Sequence, residues 1–186
     1  MKYRTLILVR HGQHESGALT ALGRRQAART AGRIATYPVA AIHCSTMQRA
    51  IETASILARQ CRSRKMSRAH ILRECLPTRT RIPGTKVPLD MFRRGRAQVD
   101  AAFRRYFRPP GSIDRCEVLV CHGNVIRYLA CKALNTGSSV WLSLGTYNCG
   151  ITVIRIAQNG EMILDAYNDT GHLPMNMKTR GTIREP

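Results

Sequence analysis

The 186 residues, 44% of them hydrophobic, can bury one sizeable core, which excludes a largely disordered chain. No apolar run approaches the roughly 20 residues of a membrane-spanning helix. Thirty Lys and Arg against eleven Asp and Glu give a formal charge of +19, most of the cations being arginine, which points to anionic partners such as a phosphorylated substrate, RNA or a nucleoprotein surface.

The chain moves straight into an apolar run, Leu6-Ile7-Leu8-Val9, with no signal peptide or amphipathic presequence expected ahead of it. The run predicts a buried parallel strand that delivers Arg10 and His11 to a tight turn at Gly12. A helix follows from Leu19-Thr20 to about Ile34, with Thr20 as its N-cap. A strand near Val39 to Cys44 and a helix from Met47 to about Gln60 come next. The middle, Cys61 to Pro88, contains Pro77, Pro83, Gly84 and Pro88 among many basic residues and reads as an irregular functional loop. A helix is predicted from Ala97 to Phe107. A strand from Glu117 to Cys121 passes through His122-Gly123-Asn124 into a helix from Val125 to about Leu134. A hairpin closes the order, Ile151 to Ile156 against Met162 to Asp165, turning at Asn159-Gly160. From about residue 174 the chain is a basic, polar tail. With no repeat and no boundary signal, residues 1–186 read as one domain.

This order predicts an α/β fold, a three-layer sandwich with a mainly parallel central sheet and helices on both faces. Such sheets place their chemistry outside the carboxyl ends of the strands. Three predicted strand ends carry polar residues there: Arg10-His11, Ser45 followed by Arg49, and Cys121-His122. Two arginines and two histidines in one pocket repel one another unless an anion neutralises them, and a phosphoryl group is their natural occupant. The seven cysteines (Cys44, Cys61, Cys75, Cys116, Cys121, Cys131 and Cys149) are odd in number and scattered. That argues against disulfides and a zinc site, and for a reducing intracellular compartment.

Five motifs in order resemble the histidine phosphatase superfamily, which includes phosphoglycerate mutase: Arg10-His11-Gly12-Gln13, Leu19-Thr20-x-x-Gly23-x-x-Gln26-Ala27, Ser45-x-x-x-Arg49-Ala50-x-x-Thr53-Ala54, Leu72-Arg73-Glu74, and Cys121-His122-Gly123-Asn124. Within it, Arg49-Ala50-Ile51-Glu52-Thr53 and Cys121-His122-Gly123-Asn124-Val125-Ile126-Arg127-Tyr128 are similar to the mitochondrial phosphoglycerate-mutase-like serine/threonine protein phosphatases. The resemblance implies a phosphatase with catalytic residues His11, Glu74 and His122. His11 would carry the phosphoryl group as phosphohistidine. Arg10, Arg49 and Asn124 would bind phosphate, and His122 would donate to the same oxygens. Glu74 would act as acid and then as base, which requires a raised pKa that an arginine-rich neighbourhood opposes. Gln13, His14, Arg79 and Arg81 would form the substrate rim, although His14, on the pocket loop, is expected to face solvent rather than substrate.

No cofactor and no metal is implied. The expected partner is a phosphoprotein or another phosphomonoester, and a homodimer is a further expectation. The resemblance places the chain in mitochondria, with the cytoplasm as the alternative. Two rivals stand beside this reading. Cys121 to Arg127 fits C-x5-R, the phosphate loop of cysteine-dependent phosphatases, but leaves Arg10, His11 and Arg49 unexplained. The second is an inactive or secondary-role subunit bound to RNA or a ribonucleoprotein such as a mitochondrial ribosome. Its contact surface would be the arginine-rich segments between Arg59 and Arg81 and between Arg93 and Arg108, where Phe103 to Arg108 interleaves aromatics with arginines.

Overall fold

The structure, a computed structural model, describes residues 2–62, 65–79, 86–137 and 140–180. In chain order its elements are β1 (Tyr3–Arg10), the short pair β2 (His14–Glu15) and β3 (Ala18–Leu19), α1 (Ala21–Ile34), β4 (Val39–Ser45), α2 (Gln48–Gln60), β5 (Met66–Ala69), α3 (Leu89–Tyr106), β6 (Arg115–Cys121), α4 (Gly123–Ala133), β7 (Ile151–Ala157) and β8 (Met162–Asp169). Six strands form one sheet in the order β5-β4-β6-β1-β7-β8. The first four are mutually parallel, and the β7–β8 hairpin adds antiparallel to β1. The expected mainly parallel sandwich is therefore what the chain forms.

Alternation along β1 divides the core. Ile7 and Val9 pack with Ala27, Ala31, Ala50 and Leu57 of α1 and α2 on one face. Leu6 and Leu8 pack with Val99 and Ala102 of α3 and Val125 and Leu129 of α4 on the other. Thr20 caps α1, its hydroxyl accepting from the Gly23 N–H at 3.0 Å. Two elements depart from expectation. Helix α3 begins at Leu89, well before Ala97, because its buried stripe of Phe92, Gly95, Val99, Ala102 and Tyr106 is interleaved with solvent-facing arginines that mask the period. Strand β5 lies in the segment expected to be irregular; three of its four residues are exposed, so no apolar alternation announces it. Pro83 and Gly84 of that segment lie outside the described residues.

Two constraints hold the sheet and the helices in register. At the amino ends of the strands Glu117 is buried and accepts from Arg4 at 2.9 Å and Arg115 at 2.8 Å, with the His43 imidazole 3.5 Å away. Burial pushes its carboxyl up, but His43, Arg115 and Arg4 prevail and hold it at about 2. On the other side, α3 meets the segment after Glu74 without room for a side chain: a Cβ on Gly95 would stand 2.3 Å from the Leu76 carbonyl oxygen.

Two outcomes are expected. Glu117→Ala leaves two arginines facing a buried void and should cost about 3–5 kcal/mol in urea denaturation at neutral pH. Because the native carboxyl lies below its unfolded value of 4.5, this stabilisation is complete above 4.5 and is lost as pH falls toward 2. The gap between wild type and Glu117→Gln should narrow over that range. Gly95→Ala should destabilise by about 1–3 kcal/mol, read as a lower melting temperature, since overpacking must separate helix from loop.

Candidate active site

The carboxyl ends of β1, β4 and β6 lie side by side, with Arg10 paired in register with Cys121. The backbone just beyond β1 is fastened on several sides. His11 N–H donates to the Cys121 carbonyl at 3.1 Å, and the Cys149 N–H donates to the Arg10 carbonyl at 3.0 Å. Asn148 Nδ2 donates to the His11 carbonyl at 3.0 Å, and the Gly12 N–H donates to Thr53 Oγ1 at 3.1 Å. Gly12 and Gly23 cross closely; a Cβ on Gly12 would meet the Gly23 oxygen at 2.5 Å.

These anchors fix the imidazole of His11, which is 1% exposed. Its Nδ1 lies 2.9 Å from the Gly12 carbonyl, which can only accept, so Nδ1 carries the proton. Its Nε2 accepts from Arg49 Nε at 3.1 Å and so presents a lone pair. Burial, reinforced by His122, Arg10 and Arg49, pushes His11 well below 6.5. The ring is neutral, in one tautomer, with Nε2 as its basic atom.

His122 stands at the start of α4, its ring centroid 5.0 Å from that of His11. Its Nε2 bonds Ser45 Oγ at 2.8 Å. Its Nδ1 is buried and has no hydrogen-bond partner among the described residues. Burial, Arg49 and Arg10 hold His122 well below 6.5 also. Arg10 is buried and donates to the Thr146 carbonyl at 2.9 Å, and Arg49 is buried in the first turn of α2.

Glu74 follows a 3-10 turn, His70–Leu72, and accepts from the Cys75 N–H at 3.3 Å and from the Asn124 N–H. Its carboxyl is half-buried by exposure yet crowded by protein atoms on most sides. Burial outweighs Arg10, the two backbone donors and Arg49 and pushes it up to about 7. The expectation that the arginines would keep it low is thus overturned by desolvation.

Of the ten site residues the sequence proposed, the structure brings His11, Arg10, Arg49, His122 and Glu74 together. Asn124 is adjacent, but its side-chain oxygen accepts from Arg127 at 3.2 Å while its backbone N–H serves Glu74. Gln13 is tied away, its Oε1 accepting from Thr20 Oγ1 at 2.8 Å. His14 is not a solvent-facing residue: its ring lies edge-on to His11 at 5.0 Å. Arg79 is exposed, beside Phe92, Arg93 and Arg96 of α3. Arg81 lies outside the described residues.

Sequence reasoning missed the backing of the site. Residues of the expected polar tail join this support: Gln26 Nε2 donates to the Met177 carbonyl and to Thr179 Oγ1, and Thr179 Oγ1 donates to Asn148 Oδ1. Nothing in Tyr147-Asn148-Cys149-Gly150 beyond turn composition marks Asn148 in advance. Arg73, whose guanidinium donates to Thr46 Oγ1 at 3.2 Å, was quoted only as part of a motif.

The two rivals fare poorly on geometry. Cys121 is fully buried and its thiol is pushed far up by desolvation, while Arg127 is engaged by the Leu144 carbonyl at 2.6 Å. Two of the five arginines of α3 form i,i+4 pairs, Arg94 with Asp90 and Arg96 with Asp100, while Arg93, Arg104 and Arg105 are exposed. Tyr106 and Phe107 are buried, leaving no exposed aromatic row for stacking bases. A cavity of about 550 Å³ bordered by Tyr3, Arg33, Tyr37 and Arg155 lies at the opposite ends of the strands and shares no residue with the histidine pocket. Among the described residues no His, Cys, Asp and Glu group could hold a metal ion.

The family profile of the histidine phosphatase superfamily (branch 1) matches residues 6–79 and 76–170. A mitochondrial serine/threonine-protein phosphatase Pgam5 of Caenorhabditis elegans is 36% identical over 185 residues, covering 93% of this chain and 65% of that protein. Its human counterpart is 35% identical over 192 residues, covering 95% and 66%. The chain thus spans slightly less than two thirds of the length of these relatives. Among solved structures, phosphoglycerate mutase from Plasmodium falciparum superposes with a TM-score of 0.70 at 30% identity, over 94% of this chain and 96% of that one. A phosphoserine phosphatase from Entamoeba histolytica, at 20% identity, 92% and 100% coverage and a TM-score of 0.69, agrees in fold. A neutral histidine bracketed by arginines at the end of β1, set in this sandwich and matched over most of its length, places the chain in the histidine phosphatase superfamily.

Proposed function

We propose that this chain hydrolyses phosphomonoesters through a phosphohistidine formed on His11, and that its substrates are phosphoserine and phosphothreonine in proteins. The observation that carries this reading is the fixed tautomer of His11, whose Nε2 lone pair faces the Arg49 guanidinium. Nε2 attacks phosphorus, and the bond from phosphorus to the substrate oxygen breaks. Arg10, Arg49 and the Nδ1 side of His122 meet the charge on the phosphoryl oxygens. Glu74, protonated, gives its proton to the leaving alkoxide. As a carboxylate it then takes a proton from the water that attacks phosphorus, the nitrogen–phosphorus bond breaks, and phosphate leaves. A carboxyl at about 7 serves both steps near neutral pH.

Protein substrates and a mitochondrial setting are supported by the names of the relatives, which are mitochondrial serine/threonine-protein phosphatases. The +19 charge supports an anionic substrate.

Incubation with a labelled phosphomonoester should give an acid-labile, base-stable adduct that is absent in His11→Ala. An adduct that persists there and vanishes in Cys121→Ser would overturn the reading. Arg49→Ala should cost on the order of 3 kcal/mol in transition-state stabilisation, measured as kcat/KM. In rapid-quench experiments phosphorylation of the enzyme should slow as pH rises through about 7, because it needs protonated Glu74, and hydrolysis of the phosphoenzyme should speed up over the same range. Glu74→Gln should abolish both limbs. No loss from protonation of His11 is expected until well below pH 6.5.

A further inference from the structure

We propose that Arg73 is a specificity residue that binds a second negative group beside the phosphate, and that the preferred substrate is a phosphopeptide with an Asp or Glu next to the phosphorylated residue. This rests on the protein phosphatase reading given above.

Arg73 is held in a defined place between Thr46 and Gln98. Its backbone is pinned: Gln98 Nε2 donates to the Arg73 carbonyl at 2.6 Å, and the Arg73 N–H donates to the His70 carbonyl at 3.0 Å. Its guanidinium reaches across to Thr46 Oγ1 at 3.2 Å. Thr46 follows Ser45, whose hydroxyl holds His122, and Arg73 precedes Glu74. The guanidinium is thus held at Thr46, beside the residue whose hydroxyl engages His122. It also bears on the imidazole of His122.

The charge inventory leaves it unanswered. Arg73 is half-buried and makes no ion pair among the described residues; its one hydrogen bond uses one of five guanidinium N–H groups on a neutral hydroxyl. The adjacent carboxyl, Glu74, accepts from the Cys75 and Asn124 N–H groups and forms no ion pair with Arg73 among the described residues. A phosphomonoester dianion is matched by Arg10 and Arg49. The third guanidinium is then available to a part of the substrate beyond the phosphoryl group. A fork of N–H donors held at that point selects a planar carboxylate. On a peptide, that group is the side chain of a neighbouring acidic residue.

The test uses paired phosphoserine peptides that differ only in Glu or Gln beside the phosphoserine, scanned over the flanking positions. At one position wild type should prefer the Glu peptide by about tenfold in kcat/KM, the difference lying in KM. Arg73→Gln should bring that ratio close to one, Arg73→Lys should keep part of it, and Thr46→Val, which releases the guanidinium, should reduce it. A ratio unchanged in Arg73→Gln, or no preference at any position in wild type, overturns the proposal. If neither peptide is hydrolysed although p-nitrophenyl phosphate still yields phosphohistidine, the protein phosphatase reading fails instead. The same ratio is then taken on 3-phosphoglycerate against glycerol 3-phosphate. Dependence on Arg73 in that pair retains the second-anion role on a small acid, and independence ends it.

Discussion

One contact underlies the site: the Gly12 carbonyl beside Nδ1 of His11. A carbonyl oxygen can only accept, so it assigns the ring proton and leaves the lone pair on the opposite nitrogen, facing the arginines. The contact exists because the chain turns sharply after β1, and the turn exists because two glycines allow the Gln13 segment and the start of α1 to touch backbone to backbone. The hydroxyl of Thr53, one helical turn after Arg49, accepts from the Gly12 N–H and donates to the Arg49 carbonyl. His11 and Arg49 are therefore aligned by the same few bonds.

The second theme is desolvation acting on both signs of charge. It holds the two histidines neutral by disfavouring their cations, and it raises Glu74 by disfavouring its anion. Burial, the leading cause in each case, thus gives a neutral His11 and a carboxyl that can hold or release a proton near neutrality. At the other end of the same strands the balance reverses. Glu117 is also buried, but direct bonds to Arg4 and Arg115 outweigh burial and keep it ionised. Two glutamates at opposite ends of the sheet titrate far apart, one at about 2 and one at about 7, because one has guanidinium donors in contact and the other has backbone amides.

Much of this was legible in the residues. The apolar run into Arg10-His11-Gly12, the Thr20 cap and the turn at Asn159-Gly160 are local signals, and the structure places each element close to its expected bounds. The core of the site was legible because its members sit at strand ends, where alternation of apolar and polar residues breaks. What escaped depends on long-range neighbours. The start of α3 was hidden by arginines on its outer face, and β5 by exposure. The pKa of Glu74 turns on crowding that no local window contains. Asn148 and Thr179 support His11 across more than a hundred residues, through bonds that composition does not announce. Asn124 was expected to bind phosphate, whereas its backbone N–H reaches Glu74.

The crossing of α3 against Leu76 separates two kinds of tolerance on one helix. Its outer arginines touch mostly solvent and one another's acidic partners, so their number and placement can drift with little mechanical effect on the pocket. A single methyl group on its inner face at Gly95 has nowhere to go, and the backbone it would displace, at Leu76, lies two residues after Glu74. The helix can thus be recharged to suit different surroundings while the chemistry stays put, provided that one position remains bare.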